Sequence, residues 1–200
     1  FCSIPLNVPL HLKPDNVDRD ELRKAWESTV GTGRLYLYDS FGSVETDNLL
    51  SRIRYLHKSL GCSFIILDHI SIVVSGLDQD NERKAIDIVM TKLRSLVEET
   101  GIGLILVSHL KRLQGDKSHE DGATTSLSHL RGSAAIAQLS DCVIGLERDQ
   151  QSEDRNKTQA RGLKNRTSGI TGVAGELRYN PDTGRLTEGN AFDQEEEVVF

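Results

Sequence analysis

Two runs of apolar residues in this chain each end abruptly at polar groups. Residues 64–67 read Phe-Ile-Ile-Leu and are followed by Asp68, while residues 104–107 read Leu-Ile-Leu-Val and are followed by Ser108 and His109. A continuous apolar run of this length is typical of a parallel strand that is buried on both faces. Open α/β sheets bind their ligands at the carboxyl ends of such strands. The pattern therefore predicts that Asp68 and His109 lie at the same edge of a sheet.

The segments around these runs have the spacing of amphipathic helices. Apolar residues recur every three or four positions over 45–60 and over about 82–100, and Gly61 and Gly101 follow the two segments. This spacing with a terminal glycine predicts one helix in each segment. Residues 35–38 (Leu-Tyr-Leu-Tyr) predict an earlier strand. The order strand, helix, strand, helix, strand indicates a parallel sheet with crossover helices.

The second half of the chain is predicted to be richer in strands. A short helix at 134–139 leads into an apolar strand at 142–146, and further strands are predicted at 158–164 and 174–179. Residues 180–184 (Asn-Pro-Asp-Thr-Gly) predict a tight turn that leads back into a final short strand.

Three segments carry no regular pattern. Residues 1–20 are proline-rich and lack a helix cap, so we expect the chain to begin inside a larger fold. Residues 111–133 form a polar segment that is too long for an ordinary connection, and loops of this size are usually functional or disordered. Residues 190–200 are acidic and predict a disordered tail. We therefore expect one folded unit over 1–189 and a separate tail.

The composition limits the class of protein. The 200 residues are 37% hydrophobic and 27% charged, which fits one soluble globular domain. No apolar stretch approaches the ~20 residues of a membrane helix, and the first residues do not have a signal-peptide pattern, so we expect no secretory leader. The three cysteines form neither a close pair nor a metal-binding spacing, which favours reduced thiols in a cytoplasmic protein without membrane contacts.

The net charge of −6 is unevenly distributed. Residues 192–200 contain four acidic residues and no Lys or Arg, which leaves −2 for the rest of the chain. A nearly neutral body excludes a generally basic nucleic-acid binder. It still permits a local DNA-binding channel, because the position of the cations decides where DNA can bind.

Asp68 and His109 are candidates for phosphate chemistry. A carboxylate at a strand end can hold the water shell of Mg²⁺; alternatively, Asp68 caps the next turn through Ser71 or nearby amides. His109 could donate a hydrogen bond to a terminal phosphate, or it could simply be satisfied by backbone groups. A hydrolase pair of Ser108 with His109 is excluded, because adjacent strand residues point to opposite faces.

Lys164 and Arg166 form a second candidate group. On extended backbone, residues two apart face the same way. Paired cations suit the charge that develops on a transferring phosphoryl group. The alternative is a pair of solvated surface cations.

The long segment at 111–133 combines cations with small residues. Such groups hold phosphate backbones without reading sequence, although Asp116, Glu120 and Asp121 dilute the charge and leave open a merely solvated loop. The segment contains no aromatic residue, so base stacking is not indicated. Its candidate DNA contacts are Lys111, Arg112, Lys117, Arg131, Gly132 and Ser133.

Four ordered motifs resemble those of hexameric replicative helicases. That superfamily includes the bacterial DnaB-type helicase, the mitochondrial helicase Twinkle and the primase–helicase of short-tailed phages. The similarity covers about residues 30–190. It is closest to the phage branch, because of residues 37–41 and 69–74. The motifs lie at 65–71, 107–111, 130–133 with 138–141, and 164–172.

The resemblance implies an α/β fold and an activity. The expected fold is a RecA-like P-loop NTPase core, with a parallel sheet flanked by helices and with C-terminal antiparallel strands. Its glycine-rich phosphate loop and its glutamate for hydrolysis are expected upstream of Phe1, so the domain is expected to be truncated at its N-terminus. The implied function is the C-terminal part of a replicative DNA helicase, an NTP-dependent hydrolase. Such a helicase couples hydrolysis at subunit interfaces of a hexameric ring to 5′–3′ translocation on single-stranded DNA and to duplex unwinding.

The resemblance also implies roles for single residues. Asp68 matches the Walker B aspartate, which acts on Mg²⁺ through water, and His109 matches the phosphate-sensing position. Arg166 matches the arginine finger that reaches the neighbouring subunit's γ-phosphate, with Lys164 beside it. Tyr179 matches a position near the nucleotide base. The expected substrate is ATP or another NTP or dNTP, hydrolysed with Mg²⁺; without the phosphate loop, the 200 residues alone are expected to be inactive.

The resemblance places the candidate DNA contacts in two loops that face single-stranded DNA. Lys111, Arg112 and Lys117 fall in the first loop, and residues 131–133 fall in the second. The acidic tail ending in Phe200 resembles the phage helicase tail that docks on the replicative DNA polymerase. A plain solubilising tail is the alternative.

Two other functions are weighed against the helicase. One is another RecA-like DNA-dependent ATPase such as a recombinase; the pattern Lys-x-Arg followed by Gly-x-Thr-Gly at 164–172 argues against it. The other is a non-catalytic split or fragment module that binds DNA, polymerase or partner subunits.

Overall fold

The computed structural model describes most of the chain. Lys117, Gly132, Ser133 and residues 190–200, for which the sequence predicts DNA or polymerase contacts, lie outside the described residues. The described residues are 1–38, 45–74, 79–113, 118–131 and 134–189.

The described residues form five α-helices and six strands. The helices are α1 (Ser3–Leu6), α2 (Arg19–Ser28), α3 (Thr46–Lys58), α4 (Gln79–Thr100) and α5 (Ala134–Leu139). The strands are β1 (Phe64–Leu67), β2 (Gly103–Leu106), β3 (Cys142–Glu147), β4 (Lys157–Asn165), β5 (Gly172–Asn180) and β6 (Arg185–Gly189).

β1 and β2 form the parallel pair that the sequence predicts. Phe64 pairs with Gly103 and Leu67 with Leu106, and α4 connects the two strands. The pairing continues past the strand ends, because the Val107 N–H donates to the Leu67 carbonyl oxygen at 3.0 Å. The polar residues that follow the two strands are therefore held at one edge.

The helices form a core beneath one face of this pair. Along α4, Ile86, Val89, Leu93 and Leu96 are at most 1% exposed and occupy helical spacing. They pack with residues of α3 and α5, and alternate residues of β1 and β2 contact this cluster. The predicted helices at 45–60, 82–100 and 134–139 are confirmed.

The prediction that both strand runs are buried on both faces is wrong. Phe64 is 70% exposed, Ile66 68% and Ile105 53%. Successive strand residues point to opposite faces, and the helical core contacts only the face that carries Ile65 and Leu67. The opposite face, defined here by Phe64, Ile66 and Ile105 and called the open apolar face, is left exposed.

The predicted strand at 35–38 is also absent. Residues 35–38 have irregular backbone without a ladder partner, so the parallel sheet in the described residues contains β1 and β2 alone. An alternating Leu-Tyr pattern favours a strand only where an edge is available to pair with it. Here the Tyr38 ring instead contacts the guanidinium of Arg52, 4.2 Å from its centroid.

The first residues contain helices that the sequence analysis did not predict. α1 lies within the segment 1–20, and α2 begins at its end, where the Asp18 carboxylate accepts a hydrogen bond from the Asp20 N–H at 3.1 Å. Asp18 followed three positions later by Glu21 is a recognisable helix-start signal. Gly31 leaves room for the ring of Trp26, which a β-carbon there would approach to 2.5 Å.

The remaining strands form an antiparallel sheet in the order β3-β4-β5-β6, which confirms the predicted C-terminal antiparallel strands. The turn at 180–184 joins β5 to β6; the Asn180 side-chain oxygen accepts from the Asp182 N–H at 2.9 Å, and Gly184 has φ of 69°. None of the helices in the described residues combines the length and apolar character that crossing a bilayer requires.

Candidate functional site

Asp68 and His109 lie at the same edge of the parallel pair, as the strand pattern predicts. The His69 and His109 rings contact each other with centroids 4.3 Å apart and planes at 61°. The peptide bond between Asp68 and His69 is cis. The Nδ1 of His69 is buried and has no hydrogen-bond partner among the described residues. His69 is thus a polar group of this edge that the sequence analysis did not single out.

The Asp68 carboxylate is exposed and makes no hydrogen bond or ion pair with another described residue. The alternative that it caps the next turn through Ser71 is therefore not realised. In the described part of the chain, no group of three or more His, Cys, Asp or Glu side chains is arranged to hold a metal ion. Mg²⁺ keeps several waters and needs only one or two carboxylates when phosphates complete its shell. The uncommitted carboxylate of Asp68 fits that role.

Lys164 and Arg166 face the same way and meet the carboxyl end of α5. Lys164 Nζ donates to the carbonyl oxygens of Ala137 at 2.6 Å and Gln138 at 3.0 Å. Arg166 donates to the Gln138 carbonyl oxygen at 3.0 Å and pairs with Asp141 at 3.3 Å. Cations at this position satisfy the last carbonyls of a helix. Arg166 nevertheless remains 51% exposed in its side chain.

Asp141 binds two arginines at once. One carboxylate oxygen lies 2.6 Å from the guanidinium of Arg94 on α4, and the other lies 3.3 Å from that of Arg166. Hydrogen bonds to Asp141 and Glu98 raise the pKa of Arg94. These partners of Arg166 include neither Asp68 nor His109. A single copy of the chain does not unite the two predicted halves of the site.

A short antiparallel ladder continues from the end of β2. Leu110 and Leu130 form an isolated bridge and contact the helical core. Two backbone hydrogen bonds flank the bridge, from the Lys111 N–H to the His129 oxygen at 2.7 Å and from the Arg131 N–H to the His109 oxygen at 2.9 Å.

The two residues that flank each leucine in this ladder are basic. His109 lies across from Arg131, and Lys111 lies across from His129. We call these four residues the cationic face, after the charges of Lys111 and Arg131. His129 was not predicted as a site residue, because its place across from Lys111 follows from the pairing of two distant segments.

The cationic face is largely accessible. Lys111 is exposed and donates to the Ser128 carbonyl oxygen at 3.3 Å, and the Arg131 side chain is 55% exposed and pairs with Glu82 at 3.7 Å. Arg112 is exposed beside them. The His119 ring supports His129 from 5.3 Å away, and both nitrogens of His119 are buried without a partner among the described residues. Of the predicted DNA contacts, Lys111 and Arg131 thus flank the same bridge, and Arg112 follows Lys111 in the chain.

Tyr179 lies apart from these groups in the contacts that the described residues make. It is half-buried on β5, and its N–H donates to the Asn156 carbonyl oxygen at 2.9 Å. Within the described ranges, Tyr179 makes no hydrogen bond or ring contact with another predicted site residue.

Glu147 is a buried carboxylate at the end of β3, with a side chain only 7% exposed. Its Oε1 accepts from the Thr125 N–H and hydroxyl, both at 2.7 Å, and from Arg161 Nε at 2.8 Å. A second Arg161 nitrogen donates to Oε2 at 3.2 Å. Burial by itself raises the pKa of Glu147, but the hydrogen bonds from Arg161 and Thr125 outweigh it and hold the pKa below its usual value.

This lowered pKa predicts a dependence of stability on pH. The unfolded chain takes up a proton at Glu147 near pH 4.5, its ordinary pKa, whereas the folded chain resists protonation to lower pH. The ionised carboxylate therefore stabilises the fold above that value, and the contribution is lost as pH falls through the native pKa. Glu147→Gln should flatten the fall in unfolding free energy at acid pH. Urea unfolding at a series of pH values measures this, with exposed Glu188→Gln as control; equal slopes in wild type and Glu147→Gln would contradict it.

This arrangement of an exposed acid, a strand-end histidine and a cation pair accompanies a clear family relationship. Residues 11–188 match the DnaB-like helicase C-terminal domain. The chain belongs to this family. It is 44% identical over 177 residues to the DNA helicase/primase of Enterobacteria phage T3, a match covering 84% of this chain and 31% of the relative. It is 26% identical over 159 residues to the replicative DNA helicase DnaB of Leifsonia xyli subsp. xyli, covering 78% and 34%.

The chain therefore spans about a third of the length of these curated relatives. Among solved structures, it is similar to an isolated ATPase domain, with a TM-score of 0.68 and 20% identity over 88% of this chain and 62% of the other. It is also similar to a DnaB-like replicative helicase described with its interactions with primase, with a TM-score of 0.67 and 22% identity over 86% and 42%. These neighbours confirm the predicted RecA-like α/β fold. The resemblance to replicative helicases is confirmed as well, and a recombinase is not favoured.

Proposed function

We propose that residues 1–189 are the C-terminal part of the helicase domain of a replicative DNA helicase that works in the cytoplasm. In the intact protein, NTP hydrolysis at the subunit interfaces of a hexameric ring drives 5′–3′ movement along single-stranded DNA and separates the duplex. One observation carries this proposal: the edge holding Asp68 and His109 runs directly into the cationic face, with His109 across from Arg131. A phosphate-binding edge and a DNA-binding surface then share one short ladder.

The proposed hydrolysis site is built from two copies of the chain. Asp68 of one subunit would hold Mg²⁺ through its water shell, and the ion would supply positive charge to the phosphates of ATP or another NTP or dNTP. His109 of the same subunit donates a hydrogen bond to the γ-phosphate. Arg166 of the next subunit turns its half-exposed guanidinium to the transferring phosphoryl group, with Lys164 beside it, and Tyr179 packs near the base.

The proposed DNA contacts are phosphate contacts. Lys111, Arg112 and Arg131 supply cations that replace the counterions of single-stranded DNA. On the basis of the sequence motifs, Lys117, Gly132 and Ser133 are proposed to extend this surface. The acidic tail ending in Phe200 is proposed to dock on the replicative DNA polymerase. Interaction with primase is described for one structural neighbour, and a primase is a further candidate partner.

The DNA contacts are tested by replacing two cations of the cationic face. Lys111→Ala combined with Arg131→Ala should weaken single-stranded DNA binding. It should also reduce the salt slope of log affinity by about 1.4, because each lost phosphate contact removes about 0.7. Affinity for a labelled oligonucleotide, measured at several salt concentrations, gives both quantities.

Lys58→Ala combined with Lys92→Ala is the matched control. Lys58 on α3 pairs with Glu99, and Lys92 on α4 pairs with Asp47; both lysines are exposed. The control therefore removes the same amount of charge at a distance in sequence from the cationic face. If the two double variants lose affinity and salt slope equally, the cationic face is not the DNA-binding surface.

A further inference from the structure

Two buried carboxylates occur at the antiparallel sheet in the described residues, and they have different partners. Glu176 on β5 pairs with Lys157 of β4 and with Arg178 of its own strand, so its partners lie within the sheet. Glu147 pairs with Arg161 of β4 but also reaches outside the sheet, to Thr125. Glu147 therefore fastens a separate segment to the sheet.

That segment, residues 118–131, fits closely against β3. Thr125 is 4% exposed, and a β-carbon at Gly145 would approach its hydroxyl oxygen to 2.2 Å, so the absence of a side chain at 145 makes room for it. The same segment also contacts the residues that follow β3. Asp121 forms a β-bridge with Asp149, and the Gln150 N–H donates to the Glu120 carbonyl oxygen at 2.9 Å.

The fastened segment leads directly into the cationic face. A single turn of 3₁₀-helix, Leu127–His129, begins two residues after Thr125, and its last residue is the ladder residue His129. So short a connection leaves little freedom, and the position of Thr125 therefore governs where the side chains of His129 and Arg131 lie.

β4 holds the same region at a second point. Arg161 and Lys164 are three residues apart on this strand; the first binds Glu147, and the second binds the last carbonyls of α5. The cationic face ends at Arg131, between these two attachments. β4, the strand that leads to Arg166, therefore contacts Glu147, which holds the segment before the cationic face, and α5, which follows that face in the chain.

We propose that Glu147 is a positioning residue for single-stranded DNA binding. With Arg161, it holds Thr125 against the sheet and so sets the positions of His129 and Arg131 in the cationic face, although its own buried carboxylate contacts no DNA. This inference rests on the proposed function of that face.

The test compares Glu147→Gln with Glu176→Gln in the full-length protein that contains this chain. Both variants neutralise a buried carboxylate of the same sheet without changing its size. Glu147→Gln should weaken binding of labelled oligodeoxythymidine by about tenfold, the effect of losing one hydrogen bond to a charged group. Hydrolysis without DNA and nucleotide affinity should be unchanged. Glu176→Gln should leave DNA affinity within about twofold of wild type. This should hold even if the two variants lower the thermal unfolding temperature equally.

Thr125 provides a second, smaller variant. Thr125→Val removes the hydroxyl donor at nearly constant volume and should weaken DNA binding, whereas Thr125→Ser keeps the donor and should restore it. The inference is overturned if Glu147→Gln and Glu176→Gln lower DNA affinity equally, or if Thr125→Val binds as wild type does. If the wild-type protein itself does not bind single-stranded DNA, the proposed function fails together with the inference; the other outcomes leave that function standing.

Discussion

Arg166→Ala is expected to lower kcat for DNA-stimulated NTP hydrolysis by about 10³- to 10⁵-fold, the range observed when an arginine finger is removed. Nucleotide binding should be retained, because the proposed finger belongs to the neighbouring subunit and acts on the charge that develops during transfer. Steady-state hydrolysis with saturating single-stranded DNA and equilibrium nucleotide binding measure the two effects. Wild-type turnover in this variant would refute the assignment.

Arg94→Ala separates the finger role from a local structural role. Arg94 and Arg166 share the carboxylate of Asp141, so a variant of either arginine removes one ion pair from the same acid. If Arg166 served only to hold Asp141, both variants would show the same modest loss. Only a group that reaches the nucleotide gives the much larger loss for Arg166→Ala.

Rings mixed from two inactive variants test whether the site is shared between subunits. One variant carries Arg166→Ala and the other Asp68→Asn. Where they alternate, the intact Asp68 of one meets the intact Arg166 of the other, and hydrolysis should return in part. Mixing restores nothing if both side chains act within one subunit.

Asp68→Asn is expected to lower Mg²⁺-dependent hydrolysis by about 10³-fold, which corresponds to a loss of about 4 kcal/mol of transition-state stabilisation. The structure leaves this carboxylate exposed and unpaired among the described residues, so the substitution breaks no ion pair and should leave folding intact. Nucleotide affinity without Mg²⁺ should be unchanged, while the Mg²⁺ concentration needed for half-maximal hydrolysis should rise.

Asp47→Asn is the control for this variant. Asp47 is an exposed acid in the first turn of α3 and pairs with Lys92, so its loss removes the same charge at a position outside the strand edge. A Mg²⁺ dependence of Asp68→Asn that matches both wild type and this control would remove Asp68 from the metal site.

The sequence could predict the parallel pair and its polar edge because short-range patterns determine both. Apolar runs ending at polar residues and helices with regular apolar spacing need no knowledge of distant contacts. The position of Asp68 beside His109 then follows from parallel pairing. The exposure of Phe64 and Ile66 could not be predicted, because it depends on which elements cover each face of the sheet.

Asp68 and Glu147 illustrate the limit of this kind of signal. Both acids follow or end an apolar run, and the sequence analysis considered only the first as a site. In the structure, Asp68 is exposed and unpaired among the described residues, whereas Glu147 is buried in an ion pair with Arg161. The difference arises from the register of β3 against β4 and from the path of residues 118–131, which no local pattern reports.

Other failures have local causes. The segment at 35–38 has strand propensity but no ladder partner, so tertiary context overrides propensity. Asp18 and Glu21 are a local signal for the start of α2. The helix was not predicted because the prolines of residues 1–20 suggested an irregular segment. His129 belongs to the cationic face only because residues 129–131 pair with 109–111, a contact across eighteen or more positions of the chain.

The double contact of Asp141 has a consequence for turnover. In the proposed finger role, Arg166 would leave Asp141 to reach a neighbouring subunit's phosphate, and Arg94 would still pair with the acid. The carboxylate of Asp141 would then keep a cationic partner in both positions of Arg166. If the proposed ring repeats this exchange at each step, the shared acid provides the arginine with a reversible resting place.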